Sequence, residues 1–155
     1  MMRGRITGVV LGIIAVAGLG ASSFAADKEV PIKQLMGENF AQLQFILSSL
    51  IVSNYTGLPE RIALIHDHAS DLTQSVPANI TKDRDRFLIY AYSLQGHAAD
   101  LKSIIEALIA IDAASAKKGE VEENQLREAA AAHYGGMVTT CVACHNRFRH
   151  ALPSL

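Results

Sequence analysis

Residues 87–108 read FLIYAYSLQGHAADLKSIIEAL. Phe87, Ala91, Leu94, Ala98, Leu101, Ile105 and Leu108 recur at alternating steps of four and three, and Asp112 ends the series with a polar residue. Such steps stack side chains on one face of an α-helix, whereas a half-buried strand would alternate every second residue. A long helix with one apolar face must bury it against other elements, so this stretch predicts a helical domain.

The same rhythm extends outward in both directions. Upstream, Ile32, Met36, Asn39, Leu43, Ile46 and Leu50 form one stripe, and Leu58, Ile62, Ile65, Ala69 and Leu72 form a second. NYTGLP (residues 54–59) separates them, with Gly57 as a turn residue and Pro59 suited to a first helical turn. TQSVPANITKD (residues 73–83) carries a proline and no periodicity, and reads as a connection. Downstream, AKKG (residues 116–119) suits the close of the long helix, because lysines favour its negative end and Gly119 can take a left-handed cap. EVEEN (residues 120–124) then opens a fourth helix with acidic residues where the macrodipole favours them. The stripe of that helix runs Ala130, Met137, Cys141, Cys144 and Phe148. Four amphipathic helices with short connections predict an all-α fold, an antiparallel four-helix bundle.

The first residues stand apart from this pattern. Arg3 and Arg5 precede an apolar run from Ile6 to Leu19, and ASSFAA follows it. That order is expected of a signal peptide over residues 1–25, cleaved just before Ala26 or Asp27, and it implies export to a periplasm. The run is shorter than the ~20 residues a membrane span needs, so no membrane span is expected after cleavage. Residues 26–155 are then a single domain. The whole chain has a net charge of −1, and loss of the two leader arginines makes the remainder more acidic still. No basic field is available for nucleic acid. LQFILSSLIV (residues 43–52) is apolar but too short to span a bilayer. Phe40, Leu47 and Ile51 fall off the main stripe there, so they either pack against neighbouring helices or form a dimer interface.

The chain contains two cysteines, in Cys141-Val-Ala-Cys144-His145. A disulfide between them would close only a tiny loop and constrain the unfolded chain little. Structural zinc needs four ligands, usually in two pairs, and only one pair is present. A redox dithiol wants the N-terminus of a helix that follows a strand. These cysteines lie near the C-terminal end of a helix. Covalent haem attachment uses all three residues at this spacing: each thiol forms a thioether to the porphyrin, and the histidine ligates iron. The expectation is one haem c on Cys141 and Cys144, with His145 as the proximal iron ligand.

CVACHNRFR, on the last of four helices, resembles the ending of the class II c-type cytochromes, the cytochrome c′ family. Their pattern is C-x-x-C-H-x-x-aromatic followed by Arg or Lys, and Phe148 and Arg149 fill the last two places. The resemblance covers residues 26–155 in helix count, spacing and motif position. It implies that Arg149, one turn beyond His145, lies near the proximal face, where the alternative is a solvated charge at a helix end. It also implies that the first helix lines the sixth coordination site, and that homodimers form through the first two helices.

Function then turns on the sixth position. Met137 is eight residues before His145 on the same helix, roughly 12 Å along the axis at 1.5 Å per residue, and cannot reach the opposite haem face. Met36 is the other methionine outside the leader. The family pattern also fits MGENF (residues 36–40), which would set Lys33 over the iron. Met36, Lys33, a histidine (His97 before His66 or His68) or no ligand all stay open, with Met36 preferred. A sulfur or nitrogen ligand implies one-electron transfer with redox partner proteins. An open site implies binding of NO or CO. No distal acid–base pair is assignable, so an enzyme is not expected. Gly135 and Gly136, with Ala129 to Ala132, form a small-residue face that admits a flat ring or a neighbouring helix, the haem being preferred. Phe87 and Tyr90 suit either porphyrin contact or core filling.

Overall fold

In a computed structural model the chain is described over residues 32–113 and 120–150. The leader and its cleavage point, residues 26–31, and the AKKG cap lie outside the described residues. The described elements are α1 (Ile32–Ile51), α2 (Leu58–Gln74), a 3-10 helix (Ala78–Asp83), α3 (Arg84–Ala113) and α4 (Glu120–Phe148). The fold is an all-α bundle of four helices, and no described helix is long and apolar enough to cross a membrane.

The stripes decide which faces turn inward. In α2 the buried residues are Leu58, Ile62, Ile65, Ala69 and Leu72, and in α3 they are Phe87, Ala91, Leu94, Ala98, Leu101, Ile105 and Leu108, as the spacing predicts. Asp112, last in the series, is exposed. On α1 the inward face is turned slightly from the expected one: Leu35, Asn39, Leu43, Ile46 and Ser49 are buried, while Met36 is half-buried. On α4, Thr140 is buried beside Ala130, Met137 and Phe148, and Cys141 and Cys144 are half-buried. The 3-10 helix falls in the stretch that lacked periodicity. A single buried residue, Ile80, anchors it, and one residue leaves no repeat to detect.

Turns between the helices follow local chemistry. Gly57 takes φ 72° before α2, a left-handed conformation that glycine adopts without Cβ strain, and Pro59 sits in the first turn. After α1, Ser53 has φ 52° and the Asn54 amide donates to the Ser49 carbonyl at 2.9 Å, which satisfies a carbonyl of the last turn. Arg127 of α4 donates to Ser53 Oγ at 2.8 Å and pairs with Glu123, fixing α4 beside that turn.

Two apolar clusters form the interior. One joins all four helices through residues such as Leu43, Ile62, Leu101, Ile105 and Met137. The other, nearer the end of α4, gathers Leu35, Leu72, Ile80, Phe87, Ala91 and Phe148. Phe148 stands edge-on to both Phe87 and Tyr90, with ring centroids 5.7 and 6.3 Å away. Full burial of a Leu or Ile side chain stabilises by about 1.5–3 kcal/mol. Outside these clusters, Phe40, Leu47 and Ile51 of α1 and Val52 just after it remain exposed. Phe45 is partly covered by the Arg61 guanidinium, 3.7 Å above its ring.

Candidate functional site

A cavity of about 250 Å³ lies where the two clusters meet. Thr140, Cys141, Val142, Cys144 and His145 of α4 line one part of it, and Met36, Asn39, Phe40 and Leu43 of α1 another. Leu72 of α2 and Phe87, Tyr90, Ala91 and Leu94 of α3 complete the wall. Helical spacing explains the convergence. Cys141, Cys144 and His145 stand at i, i+3 and i+4, and Met36, Asn39, Phe40 and Leu43 at i, i+3, i+4 and i+7, so each set shares one face.

Both thiols are free. Burial pushes both upward, and for Cys144, with Cys141 beside it, to about 12. At neutral pH they are thiols, which is the reverse of the thiolate environment a redox dithiol requires. Among the described residues no three His, Cys, Asp or Glu side chains are placed to hold a metal ion by themselves.

The remaining residues singled out in the sequence are placed as follows. Lys33 is exposed and is not part of the cavity wall. Arg149 is exposed in the turn after α4 and also lies off the wall, while Arg147 pairs with Asp83 at 3.2 Å. His66 faces a separate shallow groove between α2 and α3. His68 bonds to Asn39 at 2.7 Å behind the cavity wall. Phe87 and Tyr90 fill the core and line the cavity at once.

His97 corrects two expectations. It does not line the cavity; its Nδ1 is 3.5 Å from His133 Nδ1. The small-residue face at Gly136 does admit a flat ring, but the ring is the imidazole of His97. A Cβ on Gly136 would fall 2.5 to 2.7 Å from three atoms of that ring, whereas one on Gly135 would meet nothing within 4 Å. Gly135→Ala is therefore expected to stabilise the fold by about 1 kcal/mol, the usual helical gain. Gly136→Ala is expected to forfeit that gain by displacing His97. Urea denaturation of the two variants side by side checks the contrast.

Two wall residues carry more than the sequence suggested. Thr140 is buried and its hydroxyl lies 3.2 Å from that of Ser93. Asn39 stood in the α1 stripe as a polar residue at an apolar position, and that mismatch is the signal which marks it. Its partner His68 lies 29 positions away, a pairing no local pattern discloses. The chain matches no protein-family model, no curated protein and no solved structure with which it was compared.

Proposed function

We propose that this protein is an exported one-electron-transfer haemoprotein of the cytochrome c′ type, with one haem c bound through Cys141 and Cys144. His145 is the proximal iron ligand and Met36 the distal one. The observation that carries this reading is that Cys141, Cys144 and His145 of α4 meet Met36 of α1 in one apolar cavity. These residues fit the group: two un-ionised thiols for thioether bonds, an imidazole and a thioether for iron, and apolar walls for a porphyrin. Bound there, haem supplies a one-electron iron couple.

The chain's own residues have distinct tasks in this reading. His145 of α4 and Met36 of α1, both on the cavity wall, would each offer a donor atom to the iron. Leu43, Leu72, Phe87 and Leu94 present apolar side chains to the cavity, and the exposed Val142 of α4 stands at its rim, where a redox partner protein can approach. Lys33, His66, His68 and His97 are all absent from the wall, which supports Met36 over each of them. The antiparallel course of the bundle is supported by pairs that step forward on one helix and backward on the next. Ser93 meets Thr140 and His97 meets His133 across α3 and α4, with Asp83, just before α3, meeting Arg147, while Asn39 meets His68 and Gln42 meets Arg61 across α1 and α2. Periplasmic location rests on the leader composition. The exposed Phe40, Leu47 and Ile51 of α1 are the surface for a homodimer.

A second reading, an open sixth site that takes NO or CO, draws on the polar side chain of Asn39 in the same wall. The Met36→Ala variant separates the two. The parent is expected to give the sharp ferrous bands of low-spin haem and to resist CO. The variant is expected to turn high-spin and bind CO at once. An absorption spectrum unchanged by the substitution would refute Met36 as ligand, and a parent that is already high-spin would establish the second reading.

A further inference from the structure

His97 of α3 and His133 of α4 take no part in the cavity wall. Their Nδ1 atoms lie 3.5 Å apart, while the ring centroids are 5.6 Å apart, so the two nitrogens are the near ends of the rings. Asp100, one turn after His97 on α3, sets its Oδ2 at 3.5 Å from the same His133 Nδ1. Gly136, three residues after His133, seats the first ring. Nδ1, Cε1 and Nε2 of His97 all fall 2.5 to 2.7 Å from where a Cβ on Gly136 would stand. A glycine inside a helix costs about 1 kcal/mol relative to alanine. Here it lets the polar edge of one imidazole lie against α4 beside a second imidazole.

The distances discriminate between two explanations of the pair. Hydrogen bonds from N–H donors are ordinarily about 2.7–3.2 Å long, so 3.5 Å makes a poor bond between the rings and a poor bond to Asp100. Two imidazole nitrogens bound at about 2.0–2.1 Å to one tetrahedral zinc ion stand about 3.4 Å from each other. The Nδ1 atoms are already close to that separation, so α3 and α4 need not move to share an ion. Imidazole suits zinc, copper(II) and nickel(II), and it must be neutral to bind them. Among the described residues no third His, Cys, Asp or Glu side chain completes the ligand set, so water takes the remaining positions. The Asp100 carboxylate, 63% exposed, stands beside His133 as a counter-charge and as an acceptor for a metal-bound water.

We propose that His97 and His133 form a metal site outside the cavity, a two-imidazole clasp between α3 and α4 for a divalent transition ion such as zinc. Nδ1 of each ring is the ligand atom, Gly136 positions His97, and Asp100 supports the bound water. The site does not rest on the haem reading, because neither histidine lies on the cavity wall. An ion held from both helices binds only the folded bundle and stabilises it by mass action.

The test is a calorimetric titration of zinc chloride into the metal-free full chain at neutral pH, with any free thiol first capped with iodoacetamide. One zinc per chain is expected, together with a melting temperature that rises as zinc is added. Loss of an outer partner of a metal ligand costs about 10–100-fold in affinity, and loss of a ligand itself no less. His97→Ala and His133→Ala are each expected to weaken binding by at least that much and to abolish the rise. His66→Ala, in the separate groove, should change neither. Gly136→Ala keeps both imidazoles but unseats His97, and it too should weaken binding. If a histidine variant fails to fold, Gly136→Ala decides. A parent that binds no zinc would overturn the inference, as would affinity retained by either histidine variant or by Gly136→Ala. Loss of binding in His66→Ala would overturn it as well, by placing the ion in the other groove. The titration gives its answer whether or not the chain carries haem mass, so failure of the haem reading and failure of this one are told apart.

Discussion

Replacing Cys141 and Cys144 together by serine is expected to abolish covalent haem attachment in a host competent for maturation. The parent chain should carry the added mass of one haem, the double variant none, and each single variant at most one thioether. Serine keeps the size and helical position of the side chain but lacks the sulfur that forms the bond. The effect on stability is expected to be as large as the chemical one. With nothing attached, the apolar walls of the cavity are left to water and forfeit the contact that the group would make with them. Calorimetry should therefore show a much lower melting temperature for the double variant than for the haem-bearing parent. Full retention of covalent haem by the double variant would end the haem c reading. Equal melting temperatures would mean that the cavity is not where the group sits.

Leu101→Ala is expected to cost about 3 kcal/mol, within the 2–5 kcal/mol range for truncating a buried leucine. Leu101 is fully buried, and its cluster includes Ile62, Ile65, Ala98 and Ile105, all of them fully buried as well. It is not part of the cavity wall, so the substitution opens a new void rather than enlarging an existing space. The expected loss corresponds to a melting temperature lower by about 10 °C for a domain of this size. Haem content and spectrum should stay as in the parent, which separates this variant from the cysteine changes. A cost below about 1 kcal/mol would show that the helices around Leu101 can close over the missing atoms.

The fold was more legible than the site, for a physical reason. Burial on one side of a helix imposes a period of 3.6, so the inward residues of α2 and α3 could be read directly from spacing. The same logic was less sharp for α1, where Ser49 is buried while Leu47 and Ile51 are exposed. That helix carries apolar residues on several faces, so its period is blurred. On α4 the small residues and the two glycines leave little contrast between faces, and nothing in the spacing marks Thr140 as buried. The 3-10 helix was invisible because one buried isoleucine makes no pattern. Of the candidate site, Cys141, Cys144 and His145 were apparent because their chemistry depends on spacing within a single helix.

By itself the sequence determined four helices, which faces of α2 and α3 turn inward, and a motif that brings two thiols and an imidazole to one side of α4. Those properties follow from covalent spacing and helical geometry, which are local. Only the tertiary structure decided that Met36 lies on the cavity wall while Lys33 and His97 do not, because that depends on how α1 is rotated against its neighbours. It also decided that the ring seated on Gly136 is His97, and that His68 holds Asn39 across 29 residues of chain. Such contacts arise when whole helices bury their faces together, and no stretch of sequence contains the angle at which they do so.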